Sequence, residues 1–264
     1  MVLSYIILMN HLLSESEYSV WKAQKKEESS REMNELKNNF VSLFSHDLKT
    51  PLAKIHAISD RILQSTPKDP KSVQEEMQKI QSETKELNRY IQSILQVTRI
   101  EAGEFNLNVH PHDINELIED CIKTMSPLAA AKNMYLDFEQ EPIFAIDMDA
   151  SLIKEVFLNI IDNSIKYCPE GSKIKIKTSD SDENVLIDFS DNGPGVEEQE
   201  QFAIFEKFYR SKNNPSHKKG TGLGLYLVRY FIEIHDGSVE MQSAAGQGTS
   251  FKISLPFEQK KDET

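Results

Sequence analysis

The sequence predicts two folds in tandem: an all-α helical hairpin over residues 36–102, completed to a four-helix bundle by a second copy, and an α/β sandwich over 103–264. Three observations predict it. Apolar residues recur at helical spacing from Leu36 to Ile100 with a single proline-containing break. After Ala102-Gly103 the pattern changes to short alternating segments interleaved with helices. A chain of 264 residues that is 39% hydrophobic and 27% charged, with 10 Gly and 10 Pro, is able to bury a core and is neither collagen-like nor disordered.

Residues 1–35 precede the hairpin. Met1 to Leu13 is apolar but too short to cross a bilayer, and it lacks the positive start and cleavage site of a secretory signal. It reads equally as the end of a transmembrane helix or as a coiled-coil start against a partner, and a membrane is implied only in the first case. Ser14 to Asn39 is charged and helix-favouring, a helical linker. Leu36, Phe40, Leu43, Phe44, Leu48, Ile55, Ile58 and Ile62 then form one apolar stripe, ended by QSTPKDPKS. Ser72 with Glu75 three residues on forms a capping-box pattern for a second helix, whose apolar residues are Val73, Met77, Ile80, Leu87, Ile91, Ile94 and Ile100. A lone hairpin leaves an apolar face uncovered, which predicts a homodimer.

Beyond Gly103 the expected elements are a helix from Asn115 to Ala131, strands at 135–138 and 143–146, and a helix from Ala150 to Tyr167 capped by Asp149. The alternating KIKIKT and NVLIDFS follow as strands, then a helix from Leu223 to His235 ended by Gly237, and strands at 239–242 and 250–255. Forty-two acidic against 30 basic residues, a net charge of −12, exclude a nucleic-acid partner; the one basic stretch, Lys212 to Lys219, is too small for a duplex. Cys121 and Cys168 show no ligand spacing, which excludes structural zinc and a disulfide framework and points to a reducing, cytoplasmic compartment.

Several residues carry candidate chemistry. On a helical wheel the stripe from Leu36 centres near 80° and His46 falls at roughly 280°, pointing out of the bundle, with Asp47 beside it and Thr50 one turn on. Pro51 removes a backbone hydrogen bond just below it. Asn159, Asn163 and Lys166 share one helix face, where carboxamide oxygens suit Mg²⁺ and an ammonium suits phosphate. DNGPG, Asp191 to Gly195, follows a strand and permits close approach of a planar base. GTGLGL, Gly220 to Leu225, opens a helix whose free N–H groups favour phosphate.

FVSLFSHDLKTPLAKI resembles the phosphoacceptor box of sensor histidine kinases; NIIDNSIKY, DNGPG, FEKFYR and GTGLGL resemble their N, first glycine, F and second glycine boxes, and GQGTSFKISLP the last glycine box. All six stand in family order over residues 36–256. The resemblance implies the ATP-binding sandwich shared with gyrase, Hsp90 and MutL, with ATP and Mg²⁺ as cofactors and a response-regulator receiver domain as partner. It implies that His46 accepts the phosphoryl group, that Asp47 activates the imidazole, and that Thr50 positions water if the partner is also dephosphorylated. It further implies that Asn159 and Asn163 hold Mg²⁺ and phosphates, that Lys166 and Tyr167 flank the nucleotide, and that Asp191 reads the adenine amine. Gly193 and Gly195 line that pocket, Arg210 meets the γ-phosphate, Gly222 and Gly224 admit the phosphate chain with Gly220, Thr221 and Leu223 around them, and Thr249 lies near the adenine. Asp47 stands where Glu is commoner and Lys49 where Arg is frequent; both substitutions conserve charge. Ser211 to Lys219 reads as a lid over ATP or as a plain loop.

Two rivals are a plain ATPase of the wider family, which gives His46-Asp47 no role, and a dimeric adaptor, which degenerate Asn or Gly positions would mark; none is degenerate. Because the histidine and the pocket fall in different domains, the joint at 102–105 must bend, and the linker helix is expected to drive it. One residue inserted near Glu28 rotates the coiled coil and is expected to change autokinase activity; equal labelling of the two proteins would count against this linkage.

Overall fold

The computed structural model describes residues 48–64, 69–181, 183–211 and 220–258. The linker, the start of the first helix with His46 and Asp47, and the stretch from Lys212 to Lys219 lie outside the described residues. Two compact units divide between Asn88 and Arg89.

In the first unit, α1 covers 48–64 and α2 begins at Pro70 and runs to Glu101. Leu48, Pro51, Ile55, Ile58 and Ile62 of α1 are buried or half-buried at alternating steps of three and four, as the predicted stripe requires. Pro51 is accommodated within the helix, and Thr50 is exposed. The inward positions of α2 differ from the expected ones. Val73, Glu76, Ile80, Glu83 and Leu87 face inward, while Met77 is 56% exposed. Electrostatics supplies the reason: Lys54 Nζ holds Glu83 at 2.9 Å and Arg61 lies 3.5 Å from Glu76, two antiparallel rungs across the hairpin. The helix also starts earlier than the Ser72–Glu75 pattern implies. The Asp69 carbonyl accepts from Ser72 N and Val73 N, placing Pro70 at the first helical position, where its missing N–H costs nothing.

The second unit carries a mixed five-stranded sheet in the order β2-β4-β5-β7-β6, from β2 (Tyr135–Glu139), β4 (Lys173–Asp180), β5 (Asn184–Asp191), β6 (Ser238–Ser243) and β7 (Thr249–Pro256). Only β2 and β4 pair in parallel. Helices α3 (Ile114–Ala130), α4 (Ala150–Tyr167) and α5 (Gly224–Glu233) supply Ile118, Phe157, Ile160 and Phe231 to one core with Ile176, Ile187, Phe189 and Ile253 of the sheet. Alternation explains the covering of a single face: Val185, Ile187 and Phe189 are buried, while Lys173 and Lys175 meet Asp137 and Glu139 at 2.8 Å on the other side. Ile94, Val97 and Ile100 at the end of α2 also join this core, and Gly103 at φ +69° stops the helix.

Two expectations shift. The strand expected at 143–146 starts only at Ile146, as β3 (Ile146–Met148), and pairs outside the main sheet with an unanticipated β1 (His110–His112). Pro142 lacks a donor and Phe144 is exposed, so the earlier residues form no ladder. Among the described residues no helix is long and apolar enough to cross a membrane.

A polar latch fixes α4, the element that carries most of the site. Asp149 caps it by accepting from Ser151 N and Leu152 N, and Lys132 Nζ donates to the Ile165 and Lys166 carbonyls at its other end. His235 is fully buried, with Nδ1 2.6 Å from the Phe231 carbonyl and Nε2 3.0 Å from Asp149 N. Only a neutral ring donating from Nδ1 and accepting at Nε2 serves both. Burial pushes its pKa down from 6.5, outweighing the Phe231 carbonyl and the Asp149 charge. Below that ordinary value the unfolded chain binds a proton that the folded chain resists, so stability falls as pH falls. His235→Ala is expected to cost about 1–3 kcal/mol at pH 7.5 and to flatten the loss of stability between pH 7 and 5. Urea unfolding at each pH checks this, and equal slopes in both proteins would sink the latch.

Candidate functional site

The fold gathers the candidate residues around one end of α4. Ile153, Phe157, Ile160 and Ile161 enter the core, which leaves Asn159, Asn163 and Lys166 half-buried on the opposite side. Asn159 Nδ2 is buried without a hydrogen-bond partner, an orphaned donor at a site that otherwise satisfies its polar groups. A Cβ built on Gly224, the first residue of α5, would lie 3.4 Å from Asn159 Oδ1, so the glycine lets the helix start press against this side chain. That helix start has no side-chain cap, because the Thr221 hydroxyl accepts only from Leu223 N. The start of α5 thus lies beside the Asn159 face. Lys166 is held at 2.6 Å by Asp162, which also meets Arg89 of α2 at 3.6 Å. Tyr167 Oη lies 3.5 Å from where a Gly220 Cβ would stand.

Asp191, at the end of β5, is the most constrained of the predicted residues. Its Oδ2 accepts from Ser164 Oγ at 2.8 Å, and its Oδ1 accepts from Gly193 N at 3.0 Å and Thr249 N at 3.2 Å. This brings together three predicted residues, Asp191, Gly193 and Thr249, from two strands and a turn. A side chain on Gly193 would run into Cys168 Sγ and the Asp191 carboxylate; one on Gly195, at φ +70°, into the Ala244 carbonyl. Gly222, at φ +68°, packs on the backbone of Phe208 and Tyr209, and Phe208 N donates to the Gly222 carbonyl at 2.8 Å. The segment before Arg210 is thereby strapped to the GTGLGL turn. Tyr209 Oη and Ser211 Oγ both donate to Glu200 at 2.9 and 2.7 Å. His46 and Asp47 lie outside the described residues.

Sequence reasoning missed Ser164, Cys168, Glu200 and Gly248. Ser164 carried a signal: it falls on the buried stripe of α4, seven residues after Phe157 and four after Ile160, where a polar residue needs a partner. Cys168, whose thiol is pushed up to about 12 by burial and then by Asp191, is a protonated neighbour of that carboxylate. Gly248 has no room for a side chain beside the Asp191 carbonyl. Among the described residues no group of three or more His, Cys, Asp or Glu could hold a metal ion.

Residues 36–103 match the His Kinase A (phospho-acceptor) domain, and residues 148–259 match the histidine kinase-, DNA gyrase B- and HSP90-like ATPase. The chain belongs to the sensor histidine kinases. Curated histidine kinase relatives include the sensor protein KdpD of Clostridium acetobutylicum, 29% identical over 90% of this chain and 26% of that protein. The sensor protein SrrB of Staphylococcus aureus is 28% identical over 85% of this chain and 39% of its own length. The chain thus spans well under half of these relatives. Full-length ShkA, solved in complex with AMPPNP, superposes with a TM-score of 0.63 at 26% identity over 84% of this chain and 46% of that one. The helical region followed by a mixed α/β domain is the histidine kinase arrangement.

The crowding around Gly193 is testable. Gly193→Ala is expected to displace the Asp191 carboxylate and weaken ATP binding at least tenfold. Gly171, at φ +79° with nothing within 4 Å, serves as comparison: Gly171→Ala is expected to bind ATP normally and lose about 1 kcal/mol of stability. Titration calorimetry and thermal melts separate the two, and normal ATP binding by Gly193→Ala would remove the steric argument.

Proposed function

We propose that this chain is the ATP-dependent autokinase portion of a two-component sensor, phosphorylating His46 and passing the phosphoryl group to an aspartate of a response-regulator receiver domain. The observation that carries the reading is the joint presence of a phosphoacceptor domain containing His46 and an ATPase domain in which Asp191 is held as a fixed acceptor. The AMPPNP in the ShkA structure supports a nucleotide at the corresponding fold.

Phosphoryl transfer is mostly positioning and charge neutralisation. In the proposed arrangement Asp191 accepts from the adenine amine, with Gly193, Gly195 and Thr249 forming the base pocket. Tyr167 and Lys166 flank the nucleotide, and Gly220, Thr221, Gly222, Leu223 and Gly224 bring the uncapped start of α5 to the phosphates. Arg210 faces the γ-phosphate. Mg²⁺ would suit the donors present, because Asn159 and Asn163 offer hard carboxamide oxygens, while the orphaned Asn159 Nδ2–H suits a phosphate oxygen beside it. When bound it neutralises phosphate charge. His46 attacks through one ring nitrogen while Asp47 accepts a hydrogen bond from the other and stabilises the cation that forms. Thr50, exposed on α1, positions water if the partner is also dephosphorylated.

The functional domains are taken as 36–102 for dimerisation and phosphotransfer and 103–264 for catalysis, with 1–35 as linker. Leu52, Leu63 and Met77 remain exposed on the hairpin, and a second copy covers them in a homodimer. The described residues act in the cytoplasm, and the apolar start meets a membrane only if it ends a transmembrane helix.

Incubation with Mg²⁺ and radiolabelled ATP is expected to leave acid-labile, alkali-stable phosphate on wild type and none on His46→Gln. ATP binding without label on either protein would favour the adaptor or a phosphatase, and ATP turnover untouched by the substitution would favour a plain ATPase.

A further inference from the structure

The two side chains that flank Arg210 converge on one carboxylate. Tyr209 Oη donates to Glu200 Oε1 at 2.9 Å and Ser211 Oγ to Glu200 Oε2 at 2.7 Å, so each oxygen of the acid holds one hydroxyl. All three residues are half-buried, and 209–211 form neither helix nor turn. Side chains two residues apart that meet the same group lie on one side of such a chain, and the residue between them projects from the other. Arg210 is that residue. The acid is itself anchored. Glu200 ends a short 3₁₀ turn, Glu198–Glu200, and its neighbour Gln201 donates from Nε2 to the Ser243 carbonyl of β6 at 2.8 Å and to the Val196 carbonyl at 3.3 Å. Just before Tyr209 the backbone is bent against its preference: Phe208 stands at φ +65°, which a bulky residue rarely adopts, with its N–H on the Gly222 carbonyl. A conformation of that kind persists only where its surroundings hold it. Gly222 holds one end of the segment by its backbone, and Glu200 holds the other by its side chain.

We propose that Glu200 is a positioning residue for Arg210, a clamp that ties both neighbours of the arginine to the end of β6 and so fixes where its guanidinium stands relative to the GTGLGL turn. This rests on the reading that Arg210 faces the γ-phosphate. An arginine side chain is long, and its planar fork selects a phosphate only when its root is fixed. The clamp acts through reach and not through charge. A hydroxyl accepts as well as it donates, so a carboxamide at this position can take the Tyr209 hydrogen on its oxygen and give one of its own to Ser211. An aspartate keeps the charge but is one methylene too short to span both hydroxyls. Glutamine and aspartate at residue 200 therefore separate reach from charge.

The test measures dissociation constants for ATP and ADP, with Mg²⁺ present, on the full chain and its variants, with thermal melts to establish folding. ADP lacks the group that Arg210 is read to meet, so the ratio of the two constants reports the arginine and cancels a general loosening of the pocket. Arg210→Ala and Glu200→Ala are each expected to shift that ratio against ATP by about tenfold. Glu200→Gln is expected to stay within about twofold of wild type, and Glu200→Asp to follow Glu200→Ala. Combining Glu200→Ala with Arg210→Ala is expected to shift the ratio no further than Arg210→Ala alone, since the clamp then has nothing to position. Tyr209→Phe with Ser211→Ala removes the same two hydrogen bonds from the other side, and reads the clamp should Glu200→Ala not fold. The proposal is overturned by a ratio unchanged in the clamp variants while Arg210→Ala shifts it, by equal weakening of both nucleotides, by shifts that add in the combined variant, or by Glu200→Asp outperforming Glu200→Gln. A ratio unchanged in Arg210→Ala removes the placement of Arg210 at the γ-phosphate, and the role of Glu200 falls with it.

Discussion

The carboxylate of Asp191 is the constraint on which the candidate site depends. It ends β5, yet its hydrogen bonds run to α4 through Ser164, to its own turn through Gly193, and to the start of β7 through Thr249. Four pieces of chain are registered to one side chain. Losing any one partner would loosen the register of the other pieces, because each is held to the others through this side chain. The glycines follow from the same demand. Gly193 and Gly248 bring backbone to the carboxylate and to the Asp191 carbonyl at distances no side chain would allow. Glycine is needed here for close approach, and its loss of chain entropy on folding is the cost.

The helix α4 reconciles a core with a polar site by its period. Ile153, Phe157 and Ile160 turn inward, Asn159 and Asn163 turn out, and both faces are held still by caps at both ends: Asp149 with its His235 contact, and Lys132 on the last carbonyls. Asp149 is held below the usual carboxyl range although burial raises it, since Ser151 Oγ and the N–H groups of Asn108, Leu152 and Ser151 all donate to it. A site residue placed on a rigid, doubly capped helix keeps its position without a loop's flexibility.

Much of this was legible in the sequence, for physical reasons that differ by element. Helix α4 was readable to the residue because Asp149 and the 3.6-residue period agree. Strands β4 and β5 were readable because one covered face imposes strict alternation. The short β1 was not: three residues with a central proline carry no period, and the partner lies far along the chain. Glu76 and Glu83 carry no apolar signal that would mark them as inward, since the cations that draw them in, Arg61 and Lys54, become neighbours only once the hairpin register exists. Within the site, Asp191, Gly193 and the Asn pair were visible as motif positions. Ser164 hid among them as an ordinary helix serine, because its role depends on a strand that follows it.

How the candidate site is joined to the end of α2 follows from three polar contacts. Arg89 reaches Asp162, Gln96 donates to Glu155 at 2.6 Å, and Glu101 pairs with Lys207 at 2.7 Å, so the last three turns of α2 are tied to α4 and to the segment before Arg210. Burial raises the Glu155 pKa more than the Gln96 amide lowers it. Lys207 also sits 4.9 Å over the Tyr226 ring of α5, so its one ammonium links α2, the F-box segment and α5. Asp162 matters most, because it is shared: Lys166 holds it from one side and Arg89 from the other.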